Sequence, residues 1–227
     1  MKYVIRRFNF IVLFALYGFV NVHAETYLGA QGGVVFHGKT IKTQLAGMSI
    51  PPGSSVTNLN IDSSFLYGIV FGHYFNSHPW LGVGIDLNIT NRHIPSQDAT
   101  INLASFGPIA GTSMPMEISS IKLFFIDSDI YLLFRYQNRF IDPYLGLGVG
   151  YFYVREKVEG FSTKNHAFIP SLNGRVGLRR LLGQHVAIAA EYKIIYSKVS
   201  LFPREELSGL SFNYYPQSLT FSTSYVF

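Results

Sequence analysis

The 227-residue chain contains no cysteine. Disulfide bracing, thiol catalysis and thiolate metal ligation are all excluded at once. Charged residues are also scarce, at 14%, where a water-facing surface carries about 25–35%. Beyond residue 24 there is no apolar run of about 18 residues, so no transmembrane helix is expected there. The same stretch has no run of lysine and arginine, and nucleic-acid binding leaves no footprint. The seven histidines are scattered without paired ligand spacing, so neither a metal nor a cofactor is expected.

Against these scarcities stand 48% hydrophobic and 16% aromatic residues. The first 24 residues, "MKYVIRRFNFIVLFALYGFVNVHA", account for part of this. Lys2, Arg6 and Arg7 form a basic start, Phe10 to Val20 an apolar stretch, and Val22-His23-Ala24 a small-residue cleavage pattern that lacks only an alanine at 22. That is the layout of a secretory signal peptide. A retained anchor helix is the alternative, but the apolar stretch is short for a span of about 20 residues. Residues 1–24 are therefore expected to be a signal peptide and residues 25–227 a single β-barrel domain. The leader holds three of the 18 basic residues and none of the 13 acidic ones, so the net charge of +5 falls to +2 without it. An exported chain this apolar, with no spanning helix, fits the other fold that satisfies every backbone group inside a bilayer, the transmembrane β-barrel.

Period-two alternation supports that reading. In "LGVGIDLNIT" (81–90) Leu81, Val83, Ile85, Leu87 and Ile89 oppose Gly82, Gly84, Asp86, Asn88 and Thr90. "YLGLGVGYFYV" (144–154) and "HVAIAAEYKIIYS" (185–197) repeat the pattern. Further strands are expected at 26–36, 65–75, 124–136, 168–179 and 218–227, which makes eight. Pro170 falls inside one of them, where a bulge or an early strand end is expected. Connectors alternate too. Those at 76–79, 137–142 and 180–184 are short, whereas 37–63, 91–118, 156–166 and 198–215 are long. Short periplasmic turns and long external loops have this arrangement, with both termini on the periplasmic side.

A soluble lipocalin-like barrel would have the same period with the apolar face turned inward. Here the polar face is mostly Gly, Ser, Asn, Thr and Ala with isolated charges, which suits a crowded lumen. Aromatics also fall in two bands. Phe75, Trp80, Tyr136, Tyr144, Tyr225 and Phe227 lie towards the short turns, and Phe36, Phe65, Tyr151, Tyr153, Phe168 and Tyr196 towards the long loops. Two belts are what a lipid-facing barrel places at its interfaces.

"DPYLGLGVGYFY" (142–153) and the terminal "FSTSYVF" resemble the small outer-membrane barrel family that includes the OmpA-type transmembrane domain and the opacity-type surface proteins. The likeness covers residues 25–227, through loose motifs without catalytic content. It implies a bacterial outer-membrane location, lipid and lipopolysaccharide around the wall, and a C-terminal aromatic read by the barrel-assembly machinery. Carried over, that signal is Phe227, with Tyr225 and Phe221 on the same face. A peptidoglycan-binding domain of the kind OmpA itself carries is not expected beside the barrel.

Eight charges are expected to face inward, namely Asp86, Asp127, Asp129, Arg135, Arg175, Arg179, Glu191 and Lys193. Pairing Arg179 with His185 across the turn at 180–184 places Arg175 diagonal to Glu191, within reach of a salt bridge. A side-chain plug is the expected role, because an eight-stranded barrel has room only for its own side chains. A selectivity filter or proton path is the alternative. The second long loop is unusually apolar, with Ile94, Ile101, Leu103, Phe106 and Ile109, and is expected either to contact a partner or to pack on the first loop as a lid.

The function expected is that of a surface barrel, structural or recognising an extracellular ligand or host surface through its loops. Two alternatives stand beside it. One is a lipid-modifying enzyme at the rim, where His37, His93 and His166 lie near serines and near Glu117, Glu156 and Glu159. No spacing ties these residues together, and the chain is not expected to be an enzyme. The other is an OmpW-like conduit for small apolar molecules.

Overall fold

The computed structural model describes residues 25–36, 38–40, 43–46, 55–57, 59–102, 113–118, 120–138, 140–158, 164–201 and 209–227. The expected signal peptide lies outside them. Eight strands form the barrel: β1 (Glu25–Val35), β2 (Ser64–Tyr74), β3 (Leu81–Ile94), β4 (Ile121–Arg135), β5 (Asp142–Val158), β6 (Lys164–Leu182), β7 (Val186–Leu201) and β8 (Gln217–Val226). Each pairs antiparallel with its sequence neighbours, and β1 pairs with β8 from Tyr27–Val226 to Val35–Ser218, so the sheet closes on itself. Up to Ser171–Ser197 every wall strand is paired on both sides, as a lipid-facing sheet requires.

Alternation decides the facing. On β4, Leu123, Phe125, Asp127, Asp129, Tyr131, Leu133 and Arg135 are buried, while Ile130, Leu132 and Phe134 are exposed. The outward set around the barrel includes Leu28, Tyr67, Ile69, Leu87, Ile89, Leu147, Val149, Leu172, Val176, Ile188 and Phe221. In water such a surface would drive aggregation, whereas in a bilayer it matches the solvent.

Three departures from the sequence reading have physical causes. Tyr144, placed in the lower aromatic belt, points inward instead, because it shares parity with Gly146 and Gly148. The β6–β7 hairpin closes at Leu182–Val186, so Arg179 faces Ala189 and not His185. The turn is Gly183-Gln184-His185, and Gly183 holds φ at +73°, a conformation only glycine adopts without strain. Arg175 is still diagonal to Glu191, from the other side. Finally, β6 runs straight through Pro170. The Pro170 carbonyl accepts from Ser197 Oγ at 2.9 Å, so its nitrogen also faces β7, and the β6–β7 ladder has already ended one residue earlier, at Ser171–Ser197. The missing N–H removes nothing from the ladder.

Strands β5 and β6, at 17 and 19 residues, exceed the ~9–11 that cross a bilayer. The excess rises at the long-connector end, where the connectors are themselves paired. Gly209–Tyr214 continues the β7 hairpin and pairs with Thr43–Ala46, which pairs with Ser55–Thr57. Ser55–Thr57 in turn pairs with Gln97–Asn102, and that strand with Ser113–Ile118. Three connectors are thus joined through backbone into one sheet continuous with the wall. The second loop does pair with the first, at Val56–Ile101.

Candidate functional site: the filled lumen and the upper rim

The lumen is filled in four layers. Nearest the short turns, Glu25 bridges two arginines. Its carboxylate accepts from Arg135 at 2.6 Å and also pairs with Arg179, while Arg135 Nε donates to the Pro79 carbonyl at 2.8 Å. Above this lies a floor of Tyr27, Tyr74, Tyr131 and Tyr144 packed with Val70, Leu133 and Val226. The Arg135 guanidinium sits 3.7 Å from the Tyr74 ring centre, so the floor also holds a cation.

The third layer is the charge network. Lys193 Nζ donates to Asp127 and Asp129, each at 2.8 Å, and lies 3.6 Å from Asp86. Arg175 donates to Asp86 at 2.9 Å, to Asp129 at 3.3 Å and to Glu191 at 3.3 Å, with its guanidinium 3.4 Å above the Tyr131 ring. Asp86 and Asp129 are 1% and 0% exposed, so each carboxylate is held by protein cations and not by bulk water. The fourth layer is apolar. It contains Ile61, Ile94, Leu123, Phe125, Phe152, Val154, Ala167, Ile169 and Ile195, with Tyr214 stacked on Phe125 and bonded to Arg92. Two interior cavities of about 20 Å³ each lie between these layers, space for one water apiece.

All eight charges expected inside do face the lumen. They form two groups, however: Arg135 and Arg179 lie below the tyrosines and the other six above. Alternation puts Tyr74 and Tyr131 on the inward face, whereas Glu25, Asp142, Arg92, Tyr27 and Tyr144 are not expected inside. Their inward parity was readable, but Glu25 sits at a strand start and Arg92 in a stretch assigned to a loop. Ile94 is corrected from loop contact to core: β3 extends to it, and it is 1% exposed within the apolar layer. Ile101 lies in the paired strand Gln97–Asn102. Leu103, Phe106 and Ile109 lie outside the described residues. Phe221, Tyr225 and Phe227 all face outward; Phe221 lies midway up β8 and the other two at the short-turn end, with rings 5.1 Å apart.

The upper rim carries a second constellation. His93, on the outer face of β3, places Nδ1 3.2 Å from Asp62 Oδ2 and Nε2 2.9 Å from Ser120 Oγ. The Asp62 N–H also donates to the His93 carbonyl at 2.9 Å. Residues 31 and 27 positions from the histidine thus meet where β2, β3 and β4 begin or end. Of the histidines weighed for such a set, His93 is brought to a serine and an acid, and its acid is Asp62 in place of a glutamate. His37 lies outside the described residues, and His166 occupies a register position opposite Arg155.

Residues 10–227 match the family of the outer membrane protein beta-barrel domain. The chain belongs to that family. Solved outer-membrane barrels align with the chain. OprG of Pseudomonas aeruginosa aligns at TM-score 0.59 and 18% identity, covering 90% of this chain and 96% of that one. Neisserial surface protein A aligns at 0.46 and 10% identity (87% and 95% covered), and Ail of Yersinia pestis at 0.41 and 13% (91% and 100%). No curated protein matches the chain in sequence. The protein is a bacterial outer-membrane barrel of the small, closed, eight-stranded kind.

Proposed function

We propose that this barrel does not conduct and that it serves to hold a rigid sheet outside the cell for contact with an extracellular ligand or host surface, its termini lying in the periplasm. The observation that carries the reading is the backbone pairing of three long connectors into one sheet continuous with β7. A surface ordered before binding loses little conformational entropy on contact. The four packed layers below leave no path for ions.

The test replaces residues 38–61 and 97–118 with short turns. The shortened barrel is expected to keep its heat-dependent gel shift and to lose attachment of expressing cells to the target surface. Unchanged attachment would overturn the recognition role, and discrete steady openings in planar bilayers would overturn the closed lumen.

One observation favours a second reading, a lateral conduit for small apolar molecules. Among the described residues, the upper part of β6 above Ser171–Ser197 pairs with β5 alone, beside the apolar layer of the lumen. Ile169→Cys with Val199→Cys would close that seam, and a fall in uptake of an apolar dye on oxidation would support this reading over the first.

A further inference from the structure

We infer that Asp62, His93 and Ser120 form a hydrolase triad on the outer wall that cleaves acyl esters of a phosphorylated glycolipid in the facing leaflet. The geometry goes beyond adjacency. A carboxylate only accepts hydrogen bonds, so the contact with Asp62 requires the proton on Nδ1. That leaves the Nε2 lone pair to accept from Ser120 Oγ at 2.9 Å. Nucleophile, base and orienting acid therefore stand in the relation that recurs on unrelated hydrolase folds. The set is accessible. The side chains of His93 and Asp62 are 42% and 50% exposed, against about 1% for Asp86 and Arg175 in the lumen. Backbone pairing of Asp62 with His93 fixes the acid's position independently of its side chain.

The surroundings name the substrate. A groove of about 530 Å³ runs along this wall, lined by Asn91, His93, Lys122, Phe124 and Arg155. Lys122 is opposite His93 in register. Phe124, Arg155 and His166 occupy the next row down, and Ile89, Ile126, Tyr153 and Phe168 the row below that, with the last two rings 5.2 Å apart. From top to bottom the wall thus reads Lys122 beside His93, then Phe124 with Arg155, then an aromatic and aliphatic belt. Lys122 and Arg155 are exposed. Phosphates at headgroup height and acyl chains against the belt would bring an ester to Ser120. This assignment rests on the orientation proposed above only for which leaflet it faces.

The chemistry needs water alone as co-reactant. Ser120 Oγ attacks the ester carbonyl as its proton passes to His93 Nε2. The tetrahedral oxyanion then collapses, and the alkoxide of the glycolipid leaves with that proton. Water adds to the acyl-serine with His93 again taking a proton, and a free fatty acid departs with Ser120 restored.

The full chain, folded in detergent and verified by gel shift, would be given a fluorophosphonate probe, bisphosphorylated lipid A and its dephosphorylated counterpart. A probe adduct on Ser120 and release of fatty acid are expected. Ser120→Ala or His93→Gln should lower release by about 10³-fold or more, and Asp62→Asn by a comparable factor. Lys122→Gln with Arg155→Gln should erase the preference for the phosphorylated lipid. Folded protein that takes no probe and releases no acid, or Ser120→Ala with undiminished release, would overturn the triad. Equal release from both lipids by the parent would overturn the substrate class. Neither result depends on whether the external sheet binds a surface.

Discussion

At the scale of single residues, the lumen and the rim solve opposite problems with the same side-chain types. Inside, Lys193 faces Asp86, Asp127 and Asp129 with almost no water, so each group's tolerance depends on the others. Lys193→Met leaves three carboxylates in contact around one missing cation. We expect it to destabilise the barrel by about 3–5 kcal/mol, read as a lower urea midpoint of the gel-shifted form. Adding Asp127→Asn and Asp129→Asn should return most of that loss, and a single variant as stable as the parent would refute the account of the network. The membership of this network was legible from alternation alone, since parity places all eight predicted charges inside. Its division into two groups was not, because the tyrosines that separate them share that parity and nothing in a single strand says how far each ring reaches. Tyr131 fills the space over Gly84, so a residue without a side chain on β3 sets the height of a ring on β4.

At the scale of strands, alternation located every wall element but underestimated length. The ends of β3 and β6 are where the period carries polar or basic residues, such as Asn91, Arg92 and His93, that read as loop when only apolar positions are counted. This is why Ile94 reads as a contact surface, and why His93 is legible as a rim residue but its partners are not: Asp62, His93 and Ser120 come from three element ends, and no local spacing relates them. Register errors had milder consequences. The β6–β7 hairpin closes four residues from the predicted pairing, yet Arg175 still reaches Glu191, because a diagonal neighbour exists on either side. Pro170 gives a test at this scale. Its nitrogen faces the place where the β6–β7 ladder has ended, so Pro170→Ala should leave the unfolding midpoint almost unchanged. Leu172→Pro shifts the same defect two residues into the intact ladder, opposite Tyr196. It removes a donor that lipid cannot replace, several kcal/mol by the cost of an unpaired group in hydrocarbon. Loss of the gel-shifted form in that variant alone is expected, and equal effects of the two substitutions would show that Pro170 is accommodated some other way.

At the scale of the whole molecule, closure joins the first wall strand to the last. The Phe227 N–H donates to the Thr26 carbonyl at 2.9 Å, and the Val226 N–H to that of His185 at 2.7 Å, so the last residues complete the seam between β8, β1 and the β6–β7 turn. The aromatic rings of this segment have a different exposure from its backbone. Phe227 is 69% exposed and Tyr225 stacks on His185 outside the wall, so neither side chain helps fill the lumen. A terminal aromatic that contributes backbone to the seam and leaves its ring in lipid is free to act as the assembly signal that the likeness to small outer-membrane barrels implies. These two contributions separate experimentally. Phe227→Ala keeps the seam's hydrogen bonds and removes the ring. Refolded from urea into detergent, the variant should show the same gel shift and the same midpoint as the parent. Expressed in cells, it should accumulate several-fold less of the heat-modifiable form in the outer membrane. If both preparations were impaired equally, the ring would be a structural part of the barrel. If neither were, recognition by the assembly machinery would have to rest on Phe221 and Tyr225, which lie on the same outward face of β8.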